Sequence, residues 1–145
     1  MAEALGLASS VIAVVELSAK VASLCLQYSL AVKHAKEDIE RLKLRVDSLA
    51  FTLNATHALL QRGDGARLIA AQKVWDTLGS TKYELERIAA ELEKKLRRSR
   101  GSKTMSRLGL TALKWPLERK DVDKIIENLS KNQDIISSAL QLDLA

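Results

Sequence analysis

Apolar residues recur at helical spacing along four stretches of this chain. In the first, 1–33, Leu7, Val11, Val14, Val21, Cys25 and Tyr28 fall on one heptad seam. Leu5, Ala8, Ile12, Val15, Ala19, Ala22 and Leu26 fall on a second seam beside it. What stays polar is a narrow stripe of Ser9, Ser10, Glu16, Lys20, Ser23 and Gln27. A helix this apolar around its girth is expected to be surrounded by neighbours, protein or lipid.

The second stretch, 35–62, opens on "KEDIERL", where Glu37 and Asp38 suit the positive end of a helix dipole. Ile39, Leu42, Val46, Leu49, Leu53, Thr56 and Leu60 give its core repeat, and the two glycines of "RGDG" end it. The third, 66–98, places Leu68, Ala71, Trp75, Leu78, Leu85, Ile88, Leu92 and Leu96 on one face, with a kink or break expected at Gly79–Ser80. Pairs such as Glu91/Lys95 and Glu93/Arg97 mark its far face as solvated. In the last, 116–142, Pro116 suits the first helical position, and Val122, Ile125, Leu129, Ile136 and Leu140 carry the stripe. Short connections between long amphipathic helices predict an all-α fold, an up-down bundle of four long helices in one domain over 1–145. "SRLGLTALKW" (106–115) supplies a short extra helix.

Composition agrees with packed helices. Hydrophobic residues make up 47% of the 145 residues but aromatics only 3%, so Leu, Ile, Val and Ala must build the core. The one cysteine, Cys25, cannot form an intrachain disulfide, which fits a reducing setting, and its apolar helical position reads as a buried small hydrophobe.

Charge changes the picture in one place. The net charge is +5, yet "KKLRRSRGSKTMSR" holds seven basic residues and no acid: Lys94, Lys95, Arg97, Arg98, Arg100, Lys103 and Arg107. Without that segment the chain has 16 basic and 18 acidic residues. The basicity is therefore local, centred on a linker at 97–107. Three readings stand for it: a solvated loop, a patch for anionic lipid headgroups, or a nucleic-acid contact. The last has no recognition helix or stacking sheet to support it.

Catalytic chemistry is not visible. His34 and His57 lie on separate helices with no carboxylate or thiol at metal-ligand spacing, so neither a metal site nor a Ser/His/Asp or Cys/His set can be built. "GSKT" at 101–104 lacks the glycines and the preceding strand of a phosphate loop. No enzyme activity and no cofactor is expected.

"LGLASSVIAVVELSAKVASLC" near the start and "MSRLGLTALKWPLERKDVDKIIENL" (105–129) together resemble the fungal HeLo-like N-terminal domain of STAND proteins, the NOD-like receptors of fungi. The resemblance spans essentially the whole chain, and "LKWP" with Trp115 and Pro116 is its most specific part. It implies a non-enzymatic effector or signalling domain in programmed cell death and self/non-self recognition, self-associating on activation. In the full-length protein a C-terminal nucleotide-binding module follows, so this chain is expected to be a cut-out domain or a stand-alone form. It also implies a cytoplasmic protein that reaches the plasma membrane when activated. In related bundles, the fungal HeLo toxins, the necroptosis pseudokinase and plant coiled-coil immune receptors, an N-terminal helix engages membrane. By that analogy Leu5, Leu7, Val11, Ile12, Val14, Val15 and Glu16 are the candidate membrane-engaging residues.

Arithmetic constrains the analogy. Leu5–Leu26 would span about 33 Å as a helix, enough for a hydrocarbon core of about 30 Å. Its ten large aliphatics favour insertion by about 3–6 kcal/mol, whereas Glu16 and Lys20 oppose it by about 5–7 kcal/mol. A lone helix should stay in the soluble bundle. Glu3 and the lack of a cleavage motif argue against a signal peptide. Two arrangements of Glu16 remain open: an exposed i,i+4 pair with Lys20, or an acidic ring lining the wet lumen of an oligomer whose apolar seams face lipid. A homotypic interaction domain that never touches lipid is the rival function.

Overall fold

A computed structural model describes residues 2–61, 71–101 and 114–144, with side chains described at 6–61, 72–97 and 114–139. The described residues form four helices, α1 (Ala2–Ala31), α2 (Lys36–Gln61), α3 (Ala71–Gly101) and α4 (Arg119–Leu144), with no strand among them. The short extra helix expected at 106–115 falls mostly outside the described residues.

The α1–α2 corner is made by four residues. The Val32 N–H donates to the Tyr28 carbonyl at 2.8 Å, and Val32 is buried. Ala35 then takes a left-handed φ of 58°, and its carbonyl accepts the Ile39 N–H at 3.0 Å to open α2. The turn at Ala35 reverses the chain, so α1 and α2 pack as antiparallel neighbours.

Contacts fix the remaining directions. Trp75 lies against Gly6, and Tyr28 meets Leu92, so α1 and α3 run the same way. Arg119 meets Asp38, and Gln133 meets Thr52, so α2 and α4 run the same way. The neighbours of α1 are α2 and α3, and those of α4 are also α2 and α3. Each helix therefore turns one stripe to a shared core and keeps another face outside.

The α2 core repeat is buried at every expected position, Ile39 through Leu60. On α1 the first seam is buried, joined by Ser18 and Leu24. In α3 Leu78, Leu85, Ile88 and Leu92 are buried as expected, but near its start Val74, 1% exposed, takes the core position and Trp75 is 47% exposed and lies off the core. α3 also passes through Gly79–Ser80 without a break. Thr77 and Thr81 are buried beside it because their hydroxyls donate to the Lys73 and Thr77 carbonyls one turn back, at 2.6 and 2.7 Å. A polar side chain that satisfies itself on its own helix can enter a core at little cost.

Polar clamps set the register of α4. The Gln133 amide donates to Ser48 Oγ (2.9 Å) and Thr52 Oγ1 (3.1 Å), and its carbonyl accepts from Arg45 (3.0 Å). Asn132 donates to Thr81 Oγ1 at 3.1 Å on the other side. Asp38, 5% exposed, is held by Arg41 at 3.4 Å and Arg119 at 3.3 Å, and Arg41 reaches on to Asp123 at 2.7 Å.

Two boundaries differ from the sequence pattern. Pro116 is not the first residue of the last helix: 114–118 precedes it without helical structure, and the Glu118 carbonyl accepts the first N–H groups, from Asp121 and Val122, at 3.0 Å. Proline disfavours a helical residue before it, and Trp115 is buried there, 6% exposed. The basic linker begins later than residue 97, since α3 continues to Gly101. Basic side chains near a helix C-terminus complement its dipole, which favours those three extra residues.

Candidate functional site

The candidate membrane-engaging helix divides into two faces. Leu7, Val11 and Val14 point into the core, 0–3% exposed. Ile12 and Val15 lie half-buried on the flank, Glu16 and Ala19 are exposed, and Leu26 and Leu30 are 50% and 82% exposed. The Leu5 side chain lies outside the described residues. The expectation that neighbours wrap α1 on nearly every side is corrected here. Gly6–Ala31 is long and apolar enough to cross a membrane, yet only 33% of its most apolar window is buried. The cause is geometric: with two helical neighbours, a helix apolar all round leaves one apolar flank outside. In this state the first seam is committed to protein and cannot face lipid.

Glu16 and Lys20 do not pair with each other. The Lys20 ammonium reaches across to Glu93 of α3 at 2.6 Å, and Arg97 donates to the same carboxylate at 3.0 Å. The Lys20 bond, opposed by partial burial, holds the Glu93 carboxyl below its ordinary value. A second tie lies deeper. The Tyr28 hydroxyl donates to the Leu92 carbonyl at 2.8 Å, and the ring meets Trp115 edge to face. Burial raises the Tyr28 hydroxyl to about 12 and the Cys25 thiol from 9.0 to about 12.

Between the first half of α1 and the start of α3 an open groove of about 350 Å³ is lined by Ser9, Ser10, Ala13, Val14, Trp75, Leu78, Gly79 and Lys82. Its small residues and the outward Trp75 ring make a shallow apolar seat. Phe51 and Leu44, 78% and 66% exposed, add apolar surface on α2. Sequence periodicity put Trp75 on the core face of α3, since it neighbours the buried Val74, whereas Phe51 and Leu44 lie two residues off the α2 repeat and were not singled out.

Of the basic run, Lys94, Lys95 and Arg97 are exposed on the last turns of α3. Arg98 and Arg100 belong to the same helix, but their side chains lie outside the described residues, as do Lys103 and Arg107 entirely. The patch is thus helical over 94–100 and not a free loop there. Trp115 is buried against Tyr28, and Pro116 lines a cleft of about 350 Å³ with Arg87, Glu91, Asp121 and Lys124. Among the described residues no group of three or more His, Cys, Asp or Glu is placed to hold a metal ion. No family model, curated protein or solved structure matches the chain.

Proposed function

We propose that this chain is a non-enzymatic helical effector module of the HeLo-like kind, which self-associates and then engages membrane through α1. An up-down bundle with a short extra helix at 106–115 belongs to that reading, as does a nucleotide-binding module following it in a full-length receptor. So does a cytoplasmic resting state that moves to the plasma membrane on activation. The supporting observation is the double character of α1. It is apolar on a buried face and also on a flank that none of the described residues covers, and two polar ties, Lys20–Glu93 and Tyr28–Leu92, fasten it to α3. A helix needed only as core has no use for the second flank. Once copies are assembled, both seams are available to lipid while Glu16 turns to a shared wet lumen, where intramembrane charges are tolerated.

The test is dye release from anionic vesicles by the chain fused to a ligand-inducible oligomerising module. Release on induction, reduced by Ile12→Glu, is the expected result. No release from any assembled form contradicts the reading.

A second reading, a homotypic adaptor without membrane activity, draws on the exposed Trp75 beside the α1–α3 groove. It predicts concentration-dependent self-association that Trp75→Ala weakens, with vesicles left intact.

A further inference from the structure

The topology gathers charge that the sequence scatters. The C-terminal ends of α1 and α3 and the N-terminal ends of α2 and α4 lie at one end of the bundle. Tyr28 touches both Leu92 and Trp115, and Arg119 reaches both Glu37 and Asp38. Five exposed lysines from three separate stretches belong to this end by their place along the helices: Lys33 and Lys36 at the α1–α2 corner, Lys94 and Lys95 late in α3, and Lys114 ahead of α4. Among the described residues none of the five has an ion-pair partner, whereas most acids at this end are taken. Glu93 is held by Lys20 and Arg97, Asp38 by Arg41 and Arg119, Glu37 by Arg119, and Glu118 by Lys120. Glu40, Glu91 and Asp121 are the opposing charges left there. Leu30, 82% exposed, lies in the last turn of α1 at this same end.

We infer that this end of the bundle, and not the 94–107 run alone, is a docking surface for anionic lipid headgroups, on which the bundle stands end-on with Leu30 entering the interface. The inference rests on the membrane-directed reading above and adds its resting-state contact. Charges arranged around the perimeter of a helical bundle act together on a flat surface, because each feels the headgroup layer within a screening length of about 8–10 Å. A narrow polyanion such as a duplex would engage only part of the perimeter. Base stacking has little to use here, since Tyr28 and Trp115 are both buried and His34 is the one exposed ring among the described residues of this corner. An exposed leucine beside lysines suits the headgroup–acyl boundary.

The experiment is flotation of the unassembled chain with phosphatidylcholine vesicles, with and without phosphatidylserine, beside a duplex-DNA binding arm. The chain is expected to float only with phosphatidylserine. Each lysine contributes about a fivefold factor, so Lys33→Gln/Lys36→Gln/Lys114→Gln should weaken binding about a hundredfold. Leu30→Gln should weaken it further, and the Lys73→Gln/Lys131→Gln control should not change it. These substitutions are on exposed positions, and circular dichroism checks that the helices persist. The inference is overturned if the triple variant floats like the parent while Lys94→Gln/Lys95→Gln does not, which leaves the linear segment as the site. It is equally overturned if the parent fails to float, or binds duplex DNA in place of vesicles. Flotation does not require assembly, so its failure is separable from a failure of induced dye release.

Discussion

Tyr28 and Trp115 meet edge to face, their ring centroids 5.2 Å apart and their planes at 82°. The contact joins the end of α1 to the segment before α4, and the Tyr28 hydroxyl adds Leu92 of α3 to the same knot. Nearly every aromatic group in this chain that enters the core is in this one place, so it carries more of the fold's specificity than its size implies.

Tyr28→Phe keeps the ring contact and loses the hydrogen bond. The Leu92 carbonyl retains its place in the helix, so the expected cost is about 0.5–1.5 kcal/mol in urea unfolding. Tyr28→Ala also opens a cavity and should cost about 3–5 kcal/mol.

Cys25 is fully buried, and burial holds its thiol at about 12. The reactive thiolate is therefore scarce at neutral pH, and native protein should resist thiol reagents until denaturant is added. The sign for stability follows from linkage. The native state keeps a proton on Cys25 that the unfolded chain gives up at its ordinary value of 9.0, so stability is intact below pH 9 and falls as pH rises toward about 12. Tyr28, raised from 10.0 to about 12, acts in the same direction. Urea midpoints measured from pH 8 to pH 11 should decline, and Cys25→Ala should flatten the decline.

Leu49 and Phe51 are two residues apart on α2, one fully buried and the other 78% exposed. Leu49→Ala should cost about 2–5 kcal/mol, and Phe51→Ala less than about 0.5 kcal/mol. Comparable losses from both would place α2 in a different rotation.

Ala35 holds a left-handed φ of 58° at the corner between α1 and α2. A Cβ in that conformation costs about 1–2 kcal/mol, and glycine's freedom in the unfolded chain returns part of it. Ala35→Gly should therefore be neutral to stabilising by up to about 1 kcal/mol, read as a raised melting temperature. Ala35→Val should destabilise.

Helix identity and the buried seams of α1 and α2 were legible in the sequence, because Leu, Ile and Val at a strict heptad leave little choice of face. α3 was harder. Its seam includes Thr77 and Thr81, which look like interruptions until their bonds to the preceding turn are seen, and Trp75 beside Val74 offered a false continuation. The α4 start was misplaced because Pro116 fits a first helical turn as well as it fits the non-helical segment ahead of Arg119. The partner of Lys20 could not be read from local spacing either. Glu16 is one turn away in sequence, but Glu93 is across the helix pair, and only packing makes it near. The basic bundle end was invisible for the same reason, since Lys33, Lys36 and Lys114 lie outside the charged run.

The flank of α1 that the described residues leave exposed is the feature on which the functional reading turns. Ala19 is exposed at its middle, and buried Cys25 will not compete for label. An environment-sensitive fluorophore on Ala19→Cys, followed with anionic vesicles before and after induced oligomerisation, reports directly on that flank. A blue shift confined to the assembled, vesicle-bound form is the expected result. Water-like emission from the assembled form on vesicles would mean that α1 stays on the protein and that its flank serves another partner.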